Sequence, residues 1–490
     1  MKTVAHYFKS TVLLLLTVGV LSLSGVLQGS AAALSTSSTT MISTSPSGEA
    51  ADHNGAFLPT ISPNGRYVAF DSDAGNLNAD ADGTYSQVYL KDTLTNTIEV
   101  ISKSGDGTIG NESSVVADMS QDGRYVLFYS GATNLVPGIE PAFPTGYLYL
   151  RDRQLGTTTG IAPIANVSVI VRPSMDNSAS VIAYTEPNQT GTSTLYKLDR
   201  TTGVTVAVGE TTLDGFVSAD GSNIVFLTNH QSVANDELYD LAQYNVNDGT
   251  MTTLLSQLPL LNCHMSPDNT RLTYTARDAS NTPMLKLVNV TTGSELQTIN
   301  PGMFGTPYTL SFSGNNQYVS YMTHNPAQTS SIGDLVVENI ATQEKLTLAT
   351  NVHRFTVAML NQDGTKLAYT YATEATGRQA YIATLSEDTA PPTIGSPSIN
   401  PQLMLFTHSA TVSATTSDSG SGVARGEYYI DTDPGVGHGV SLAYDNGKIS
   451  GTATISGLTS GIHRLYLRSV DNAGNWSSPV SVQFIYVNFN

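Results

Sequence analysis

The sequence has very few cysteines, few charged residues and almost no tryptophan. Of its 490 residues one is cysteine (Cys263), one is tryptophan (Trp476), and 13% are charged. A single cysteine excludes an internal disulfide, so a large packed core must supply the stability. With 22 basic against 40 acidic residues the formal net charge is −18, which leaves too few cations to neutralise phosphates. A nucleic-acid partner is therefore disfavoured, and the acidity is expected to keep the chain soluble.

The sequence also lacks the common catalytic motifs. It contains no Gly-x-Ser-x-Gly, no His-Glu-x-x-His, no paired cysteine motif and no glycine-rich phosphate loop. The nine histidines are scattered, although His264 directly follows Cys263. Adjacent residues of a strand point to opposite faces, so we expect these two to pack within the fold rather than share a ligand. The sequence therefore predicts that the protein is not an enzyme.

The first 33 residues have the layout of a secretory signal peptide. Lys2 and Lys9 precede an apolar run at 11–27, and Ala31 and Ala33 form an Ala-x-Ala cleavage site. An uncleaved membrane anchor is the alternative, but small and polar residues interrupt the run. We predict cleavage and export, so that the mature chain is secreted or held in the cell envelope without a transmembrane segment.

A repeated motif runs through most of the chain. The segment SPNGRYVAF at 62–70 returns as SQDGRYVLF at 120–128. Five looser copies begin at Ser174, Ser218, Ser266, Ser313 and Asn361. Each copy opens with a tetrad whose Asn or Asp followed by Gly suits a tight hairpin, and a buried strand follows. The tetrads end at 65, 123, 177, 221, 269, 316 and 364, close to the ~40–50-residue period of four-stranded propeller blades.

This pattern, followed by a distal Val-Tyr-Leu-x-Asp strand at 88–92, resembles the WD-type (PD) repeat of TolB-like propellers across about 40–387. The resemblance implies an all-β fold with a seven-bladed β-propeller. It implies no single function, because such propellers serve as protein-binding scaffolds, as noncatalytic parts of peptidases and occasionally as lyases.

The seventh unit has no room for a fourth strand before Pro391 and Pro392. Residues 41–48 resemble the fourth strand and exit loop of the first unit at 100–107. We therefore expect a strand near 41–45 to close the ring, which gives a propeller domain at 34–387.

Residues 388–490 differ in character from the propeller. Short runs alternate with period two and are separated by turn signals, which predicts a small β-sandwich. The segments YIDTDPG at 429–435 and VDNAGNWS at 470–477 resemble immunoglobulin-like modules of bacterial surface and secreted proteins. Trp476 is expected to be a packing anchor, with a ligand platform as the alternative.

The segment NADADG at 78–83 resembles the start of a calcium loop. Asn78, Asp80 and Asp82 offer oxygen ligands at alternate positions, and Gly83 suits the sharp turn. Tyr89 occupies the place of the bidentate glutamate, so a bound calcium ion would need further oxygens. Calcium is thus the one cofactor predicted, and a solvated acidic turn is the alternative.

The further oxygens of this calcium loop would come from Asp71, Asp73, backbone carbonyls or water.

Asp431, Asp433 and the Asp471–Asn472 pair form a second, weaker candidate cation site. Ordinary polar surface is the alternative there.

The sequence as a whole predicts an exported, monomeric, noncatalytic binding or scaffold protein at the bacterial cell surface. One propeller face would engage a protein or glycan partner, with loops at 73–86 and 131–146 as the recognition rim. The alternative is a secreted polysaccharide hydrolase or lyase, which would need His, Arg and acidic side chains to converge at one mouth of the channel.

Overall fold

All of the regular secondary structure in the described part of the chain is β-strand. The computed structural model describes residues 34–488, apart from 82, 142–145, 165–172, 188–192, 212–214, 234–235, 260–261, 278–282, 300–309, 325–331, 354–355, 374–376, 419–421, 456 and 472–473. Among these residues there is no helix long and apolar enough to cross a membrane.

Seven four-stranded antiparallel sheets form the blades of a β-propeller, which confirms the predicted seven-bladed propeller. The chain begins with β1 (Leu34–Met41), which belongs to the last blade. The first blade is β2 (Ala56–Ile61), β3 (Tyr67–Ser72), β4 (Gln87–Asp92) and β5 (Ile98–Val100). The second is β6 (Ser114–Met119), β7 (Tyr125–Ser130), β8 (Gly146–Asp152) and β9 (Thr157–Ile164). The third is β10 (Ser174–Met175), β11 (Val181–Pro187), β12 (Ser193–Asp199) and β13 (Val204–Thr211).

The remaining blades repeat the same meander. The fourth is β14 (Phe216–Val217), β15 (Asn223–Val233), β16 (Asp236–Asn245) and β17 (Met251–Pro259). The fifth is β18 (Asn262–Met265), β19 (Arg271–Arg277), β20 (Pro283–Asn289) and β21 (Glu295–Ile299). The sixth is β22 (Ser311–Phe312), β23 (Tyr318–His324), β24 (Ile332–Asn339) and β25 (Lys345–His353). The seventh is β26 (Ala358–Leu360), β27 (Lys366–Thr373), β28 (Gly377–Glu387) and β1.

The N-terminal strand β1 is therefore the outer strand of the seventh blade. It pairs antiparallel with β28, from Leu34 opposite Glu387 to Met41 opposite Tyr381. The pairing strand ends at Met41, whereas the sequence placed the closing strand near 41–45. Beyond it, Ser43 continues the contact, since its Oγ donates to Gln379 Oε1 at 2.7 Å and accepts from Ala380 N–H at 2.9 Å.

Apolar side chains between neighbouring blades form the core of the propeller. Phe70 of the first blade lies in one cluster with Ala368 and Ile382 of the seventh. The opposite face of the same blade contributes Ala69 to a cluster with Phe128 of the second. Each blade thus buries both faces, as runs of continuous apolar residues such as YVAF predict.

The tetrads form the predicted turns between the first and second strands of the blades. Ser62 Oγ donates to Asn64 Oδ1 at 2.7 Å and accepts from Tyr67 N–H at 2.9 Å, and Gly65 has φ +71°. Only glycine fits the corresponding position 123, because a Cβ there would lie 2.3 Å from the Tyr67 ring of the preceding blade. These residues therefore fix the turn and the spacing between blades.

The third tetrad lies two residues further along than the sequence predicted. Ser174 and Met175, which were assigned to the turn, form the inner strand β10. The turn is 176–179, with Ala179 N–H donating to Asp176 O at 2.8 Å and Ala179 at φ +54°. The prediction was wrong because the position of the turn glycine is occupied here by alanine.

The C-terminal residues form one eight-stranded sheet that curls around its own apolar core. Its strands are β29 (Thr393–Asn400), β30 (Leu403–Met404), β31 (Ser409–Ser417), β32 (Val423–Ile430), β33 (Val440–Asp445), β34 (Lys448–Thr454), β35 (Gly461–Asp471) and β36 (Val480–Tyr486). They are hydrogen-bonded in the order β29-β31-β34-β33-β32-β35-β36-β30. The predicted short strands are present, but two separate sheets of a sandwich are not distinguished.

Candidate functional site

The inner strands of all seven blades surround a cavity at the tetrad end of the propeller channel. The cavity has a volume of about 260 Å³. One residue of every blade, the second before its tetrad, contributes to the lining. These residues are Thr60, Asp118, Ser174, Phe216, His264, Ser311 and Met359.

The tetrads close this end of the ring by hydrogen bonds from blade to blade. Gln121 N–H donates to Asn177 O at 2.8 Å, Asn177 N–H to Ala219 O at 2.9 Å, and Ala219 N–H to Pro267 O at 2.6 Å. Across the closure of the ring, Gln362 N–H donates to Pro63 O at 2.9 Å. The mouth of the cavity is therefore a hydrogen-bonded rim that the fold holds in place.

Pro267 of the fifth blade has no N–H to donate to the next blade. The pattern of backbone hydrogen bonds therefore changes at the junction of the fifth and sixth blades. Side chains link the two blades there. Asn316 Nδ2 donates to Asp268 Oδ2 at 2.6 Å, and Arg271 Nη1 donates to Asn316 O at 2.9 Å. At this end of the ring the two blades are thus linked by polar side chains of their turns.

Most of the polar side chains in the ring also hold the next blade. Ser174 Oγ donates to Gly215 O at 2.9 Å and accepts from Val217 N–H at 2.8 Å. Ser311 Oγ accepts from Leu360 N–H at 3.0 Å. Their first role is therefore structural.

Asp118 is the carboxylate of the cavity. Its Oδ1 accepts from Met119 N–H at 2.8 Å, and its Oδ2 accepts from Met175 N–H of the third blade at 2.8 Å. Burial raises the pKa of Asp118 to about 7; the two backbone donors oppose this change, and the neighbouring Asp176 carboxylate adds to it. The cavity therefore contains a carboxyl group that titrates near neutral pH.

Sequence reasoning did not identify Asp118. Its signal was its position two residues before a tetrad, which becomes informative only once the seven tetrads are aligned.

Cys263 and His264 were both expected to pack within the fold, and only Cys263 does so. Cys263 is buried in the core cluster of the fourth and fifth blades. His264, on the opposite face of β18, lines the cavity instead of packing within the blade. His264 and Asp118 belong to the fifth and second blades, so the ring places them three blades apart.

Another buried carboxylate lies in the propeller wall, outside the described lining of the cavity. Asp71 in β3 is 6% exposed, and its Oδ1 has no hydrogen-bond partner among the described residues. Burial raises the pKa of Asp71 to about 7, against the effect of Arg378. Asp73 accepts from Asn54 N–H at 3.2 Å. A contribution of Asp71 or Asp73 to the calcium site stays a prediction.

The predicted calcium loop is described in part. Asn78 Oδ1 accepts from Asp80 N–H at 2.9 Å, and Asp80 is exposed. Asp82 lies outside the described residues. The calcium site thus stays a prediction.

We expect millimolar calcium to raise the melting temperature of the protein by a few degrees, with a dissociation constant of about 10⁻⁴–10⁻³ M. The paired substitution Asp80→Ala with Asp82→Ala should remove the increase, because two of the ligands are lost. Differential scanning fluorimetry over a calcium titration measures both. Asp248→Ala, on the turn before β17, is the control and should respond like the wild type; an equal response of the paired variant would disprove the site.

The acidic residues predicted as a second cation site separate in the structure. Asp471 lies with Asp388 and Asp418, and one carboxylate oxygen of each lies within 4.8 Å of the others. Asp471 also accepts from Asn475 N–H at 2.7 Å. These three carboxylates, rather than Asp431 and Asp433, are the group in this region that could hold a cation; Asn472 lies outside the described residues.

Asp431 and Asp433 have basic partners. Asp431 Oδ2 lies 2.6 Å from His463 Nδ1, and the other ring nitrogen lies 2.8 Å from Thr459 O. Burial alone would lower the pKa of His463, but these two acceptors raise it. Asp433 Oδ2 accepts from Arg468 Nη1 at 3.1 Å. Both carboxylates are therefore paired with basic residues of β35.

Trp476 is a packing residue in the described structure. Its ring stacks with the guanidinium of Arg425 at 5.0 Å and with that of Arg468 at 5.6 Å. It is partly buried and forms an isolated bridge with Val470. These contacts fit the role of an anchor beside the buried arginine.

The loops predicted as a recognition rim are separate from the cavity. None of the described residues of 73–86 or 131–146 lines it. Both loops are fixed by an asparagine: Asn76 accepts from Asp52 N–H at 3.1 Å, and Asn134 accepts from Asn111 N–H at 3.0 Å. Phe143 and Pro144 lie outside the described residues.

Fold and cavity together define an all-β protein built on a seven-bladed propeller whose inner strands enclose a small pocket. No protein family matches the sequence, and no curated protein matches it. Among solved structures, the chain is similar to an oligogalacturonate lyase in complex with manganese, with 12% identity, a TM-score of 0.48, and coverage of 68% of this chain and 90% of the other. It is also similar to TolB from Acinetobacter baumannii, with 19% identity, a TM-score of 0.33, and coverage of 49% of this chain and 52% of the other.

A third similar structure is the β-propeller domain of the trilobed protease from Pyrococcus furiosus. The identity is 12%, the TM-score 0.47, and the coverage 68% of this chain and 95% of the other. At such identities the likeness concerns the fold and says nothing of activity or ligand.

Proposed function

We propose that this chain is an exported, noncatalytic binding protein of the bacterial cell surface, and that the channel cavity receives part of a protein or glycan partner. The observation that carries the proposal is the cavity itself, to which all seven blades contribute. Its rim is fixed by hydrogen bonds between blades, so the pocket exists before a ligand arrives, as is usual for binding sites.

The C-terminal sheet, at 388–490, is the second part of the proposal. We assign it as an immunoglobulin-like domain that acts as a spacer or docking module. The alternation of buried and exposed residues along β31 and its own core of buried apolar residues support a separately packed domain. Proline at 391 and 392 supports a boundary beside the propeller.

A polysaccharide hydrolase or lyase is the second candidate, and one observation favours it. Asp118 has a pKa of about 7 and lies in a cavity, which suits a general base. The other ionisable side chain of the described lining is His264, three blades away. Two ionisable side chains from different blades do not by themselves define a catalytic site, whereas a preformed pocket is sufficient for binding, so binding is the better-supported function.

We expect a photocrosslinking residue in place of Ala219, at the rim of the cavity, to capture a partner from isolated cell envelopes. The same residue in place of Val204, which is 52% exposed on an outer strand, is the matched control and should capture little. Mass spectrometry identifies the adducts, and turnover of the captured material is then assayed. Equal labelling at both positions would contradict the assigned site. Turnover by the purified protein would contradict a noncatalytic function and favour the hydrolase or lyase.

A further inference from the structure

The walls of the channel cavity are unusually rich in methionine. Four of the eleven methionines of the chain line it, one each from the second, third, fifth and seventh blades: Met119, Met175, Met265 and Met359. Phe216 of the fourth blade adds an aromatic ring. Unbranched thioether side chains adapt to the shape of a flexible apolar group. Met119, Met175 and Met265 are 3%, 7% and 9% exposed and pack mainly in the core between blades, whereas Phe216 and Met359 are partly buried at the ring positions. The apolar surface that these residues leave at the cavity suits an alkyl chain.

The ionisable side chains of the described lining are Asp118 and, three blades away, His264. Asp118 is the single carboxylate among the described lining residues, and none of these residues is lysine or arginine. The neighbouring charge that acts on Asp118 is a second carboxylate, Asp176. A carboxylate taken out of water is strongly stabilised by a cation beside it. The described lining has no lysine or arginine to supply this cation, so a ligand could supply it.

The hydrogen bonds of Asp118 leave room for such a ligand. Each carboxylate oxygen accepts one backbone N–H, and a carboxylate can accept about four hydrogen bonds in all. The carboxylate is thus held in a fixed orientation by the second and third blades while part of its acceptor capacity is unused by these two bonds.

The size of the cavity limits what can enter. About 260 Å³ is below the roughly 300–1,000 Å³ typical of pockets for whole small molecules. It suits a single side chain better than a run of sugar units. A lysine side chain combines an apolar four-carbon stem with a charged tip, which matches methionine walls that lead to a carboxylate.

On the basis of the binding function proposed above, we propose that the cavity receives a protonated alkylamine, in the form of a lysine side chain of a partner protein, and that Asp118 is the anion that binds its ammonium group. The stem would pack on the methionines and Phe216. The negative charge of the chain as a whole, −18, would favour the approach of a basic partner.

The test uses the protein labelled with ¹³C at the methionine methyl groups, so that the pocket methionines report binding directly. It is titrated with the blocked peptide acetyl-Gly-Ser-X-Ser-Gly-amide, with X as lysine, norleucine, acetyl-lysine or arginine. We expect the lysine peptide to shift the signals of the four pocket methionines, assigned by single Met→Leu variants. It should bind at least about tenfold more tightly than the two neutral peptides, because a hydrogen bond between charged groups is worth about 1.5–3 kcal/mol.

The protein variant that tests the anion is Asp118→Asn, which keeps the shape of the side chain and removes its charge. The preference for lysine over norleucine should fall to within about twofold. Glu49→Gln, which removes an exposed carboxylate outside the cavity, is the matched control and should keep the preference. If Asp118→Asn does not fold, the comparison of lysine with acetyl-lysine on the wild type decides the question without a change in the protein.

Several results would overturn the inference. Equal binding of lysine, norleucine and acetyl-lysine would show a pocket without a cation site and would leave the proposed binding function intact. Tighter binding of the arginine peptide would overturn the assignment to an alkylamine. A lack of any shift in the pocket methionines would also overturn it, and the crosslinking experiment would then judge the binding function on its own.

Discussion

Removal of residues 34–46 should lower the melting temperature of the propeller by about 10 °C or more. The deletion removes β1, so β28 becomes an exposed edge along the register from Leu34–Glu387 to Met41–Tyr381. It also removes Ile42 and Ser43, which are 2% and 0% exposed, and so leaves Gln379 buried without the bond from Ser43. Loss of several kcal/mol at a shift of ~2–4 °C per kcal/mol gives the expected size.

Circular dichroism melts of chains beginning at 34 and at 47 measure the effect. Thr40→Ala in the longer chain is the control, because Thr40 is exposed on β1, and it should melt within about a degree or two of the parent. A synthetic peptide of 34–46 added to the truncated chain should restore part of the loss. Equal melting of the two chains would show that the pairing of β1 with β28 contributes little to the closed ring.

The architecture of the propeller was predictable because one local rule repeats seven times. A serine or asparagine that accepts an N–H five residues later, an acidic or amide residue and a glycine together determine a tight turn, as Ser120, Asp122 and Gly123 do. Such turns depend on neighbouring residues in the chain, so the sequence expresses them directly. The C-terminal strands were predictable for the same reason, through their alternation.

The third tetrad shows where this local rule stops. Ala179 has a positive φ that the turn demands, and the blade accepts the strain because Asp176 takes over the role of the serine by binding Val181 N–H at 2.6 Å. The pair Asp176-Asn177 resembles the last two residues of the other tetrads, so the sequence predicts the turn two residues too early. In the structure Asn177 N–H donates to Ala219 O of the fourth blade, a tertiary contact that the local sequence does not express.

The candidate site could not be predicted in this way, because its residues come from seven separate segments. Asp118, Phe216 and His264 share a position relative to their tetrads, but their common lining of one cavity follows from the closure of the ring. The acidic residues of the C-terminal sheet likewise could not be grouped from their order along the chain. Asp471 meets Asp388 and Asp418 across the sheet, whereas Asp433, a near neighbour of Asp431 in the chain, contacts Arg468.

Arg468→Met should destabilise the C-terminal sheet by about 3–5 kcal/mol, because it removes the basic partner of a buried acid. Arg468 and Glu427 have side chains that are 3% and 0% exposed, and Arg468 Nε donates to Glu427 Oε1 at 2.6 Å. Glu427 also accepts from Gly437 and Gly439 N–H, both at 3.1 Å. Its carboxylate would keep these two donors but lose its counter-charge.

The change can be followed by the fluorescence of Trp476, which is the one tryptophan of the chain and lies over Arg468. Urea denaturation monitored in this way reports on the C-terminal sheet. Arg464→Met, which alters an exposed arginine on the same strand β35, is the matched control and should cost less than about 0.5 kcal/mol. A loss no larger than that in Arg468→Met would show that the pair contributes nothing to stability.

One further measurement separates the effect of the buried charge from a loss of packing. The double variant Arg468→Met with Glu427→Leu removes both charges, and its loss should be smaller than that of Arg468→Met alone. A loss in the double variant equal to the sum of the two single losses would assign the destabilisation to packing instead.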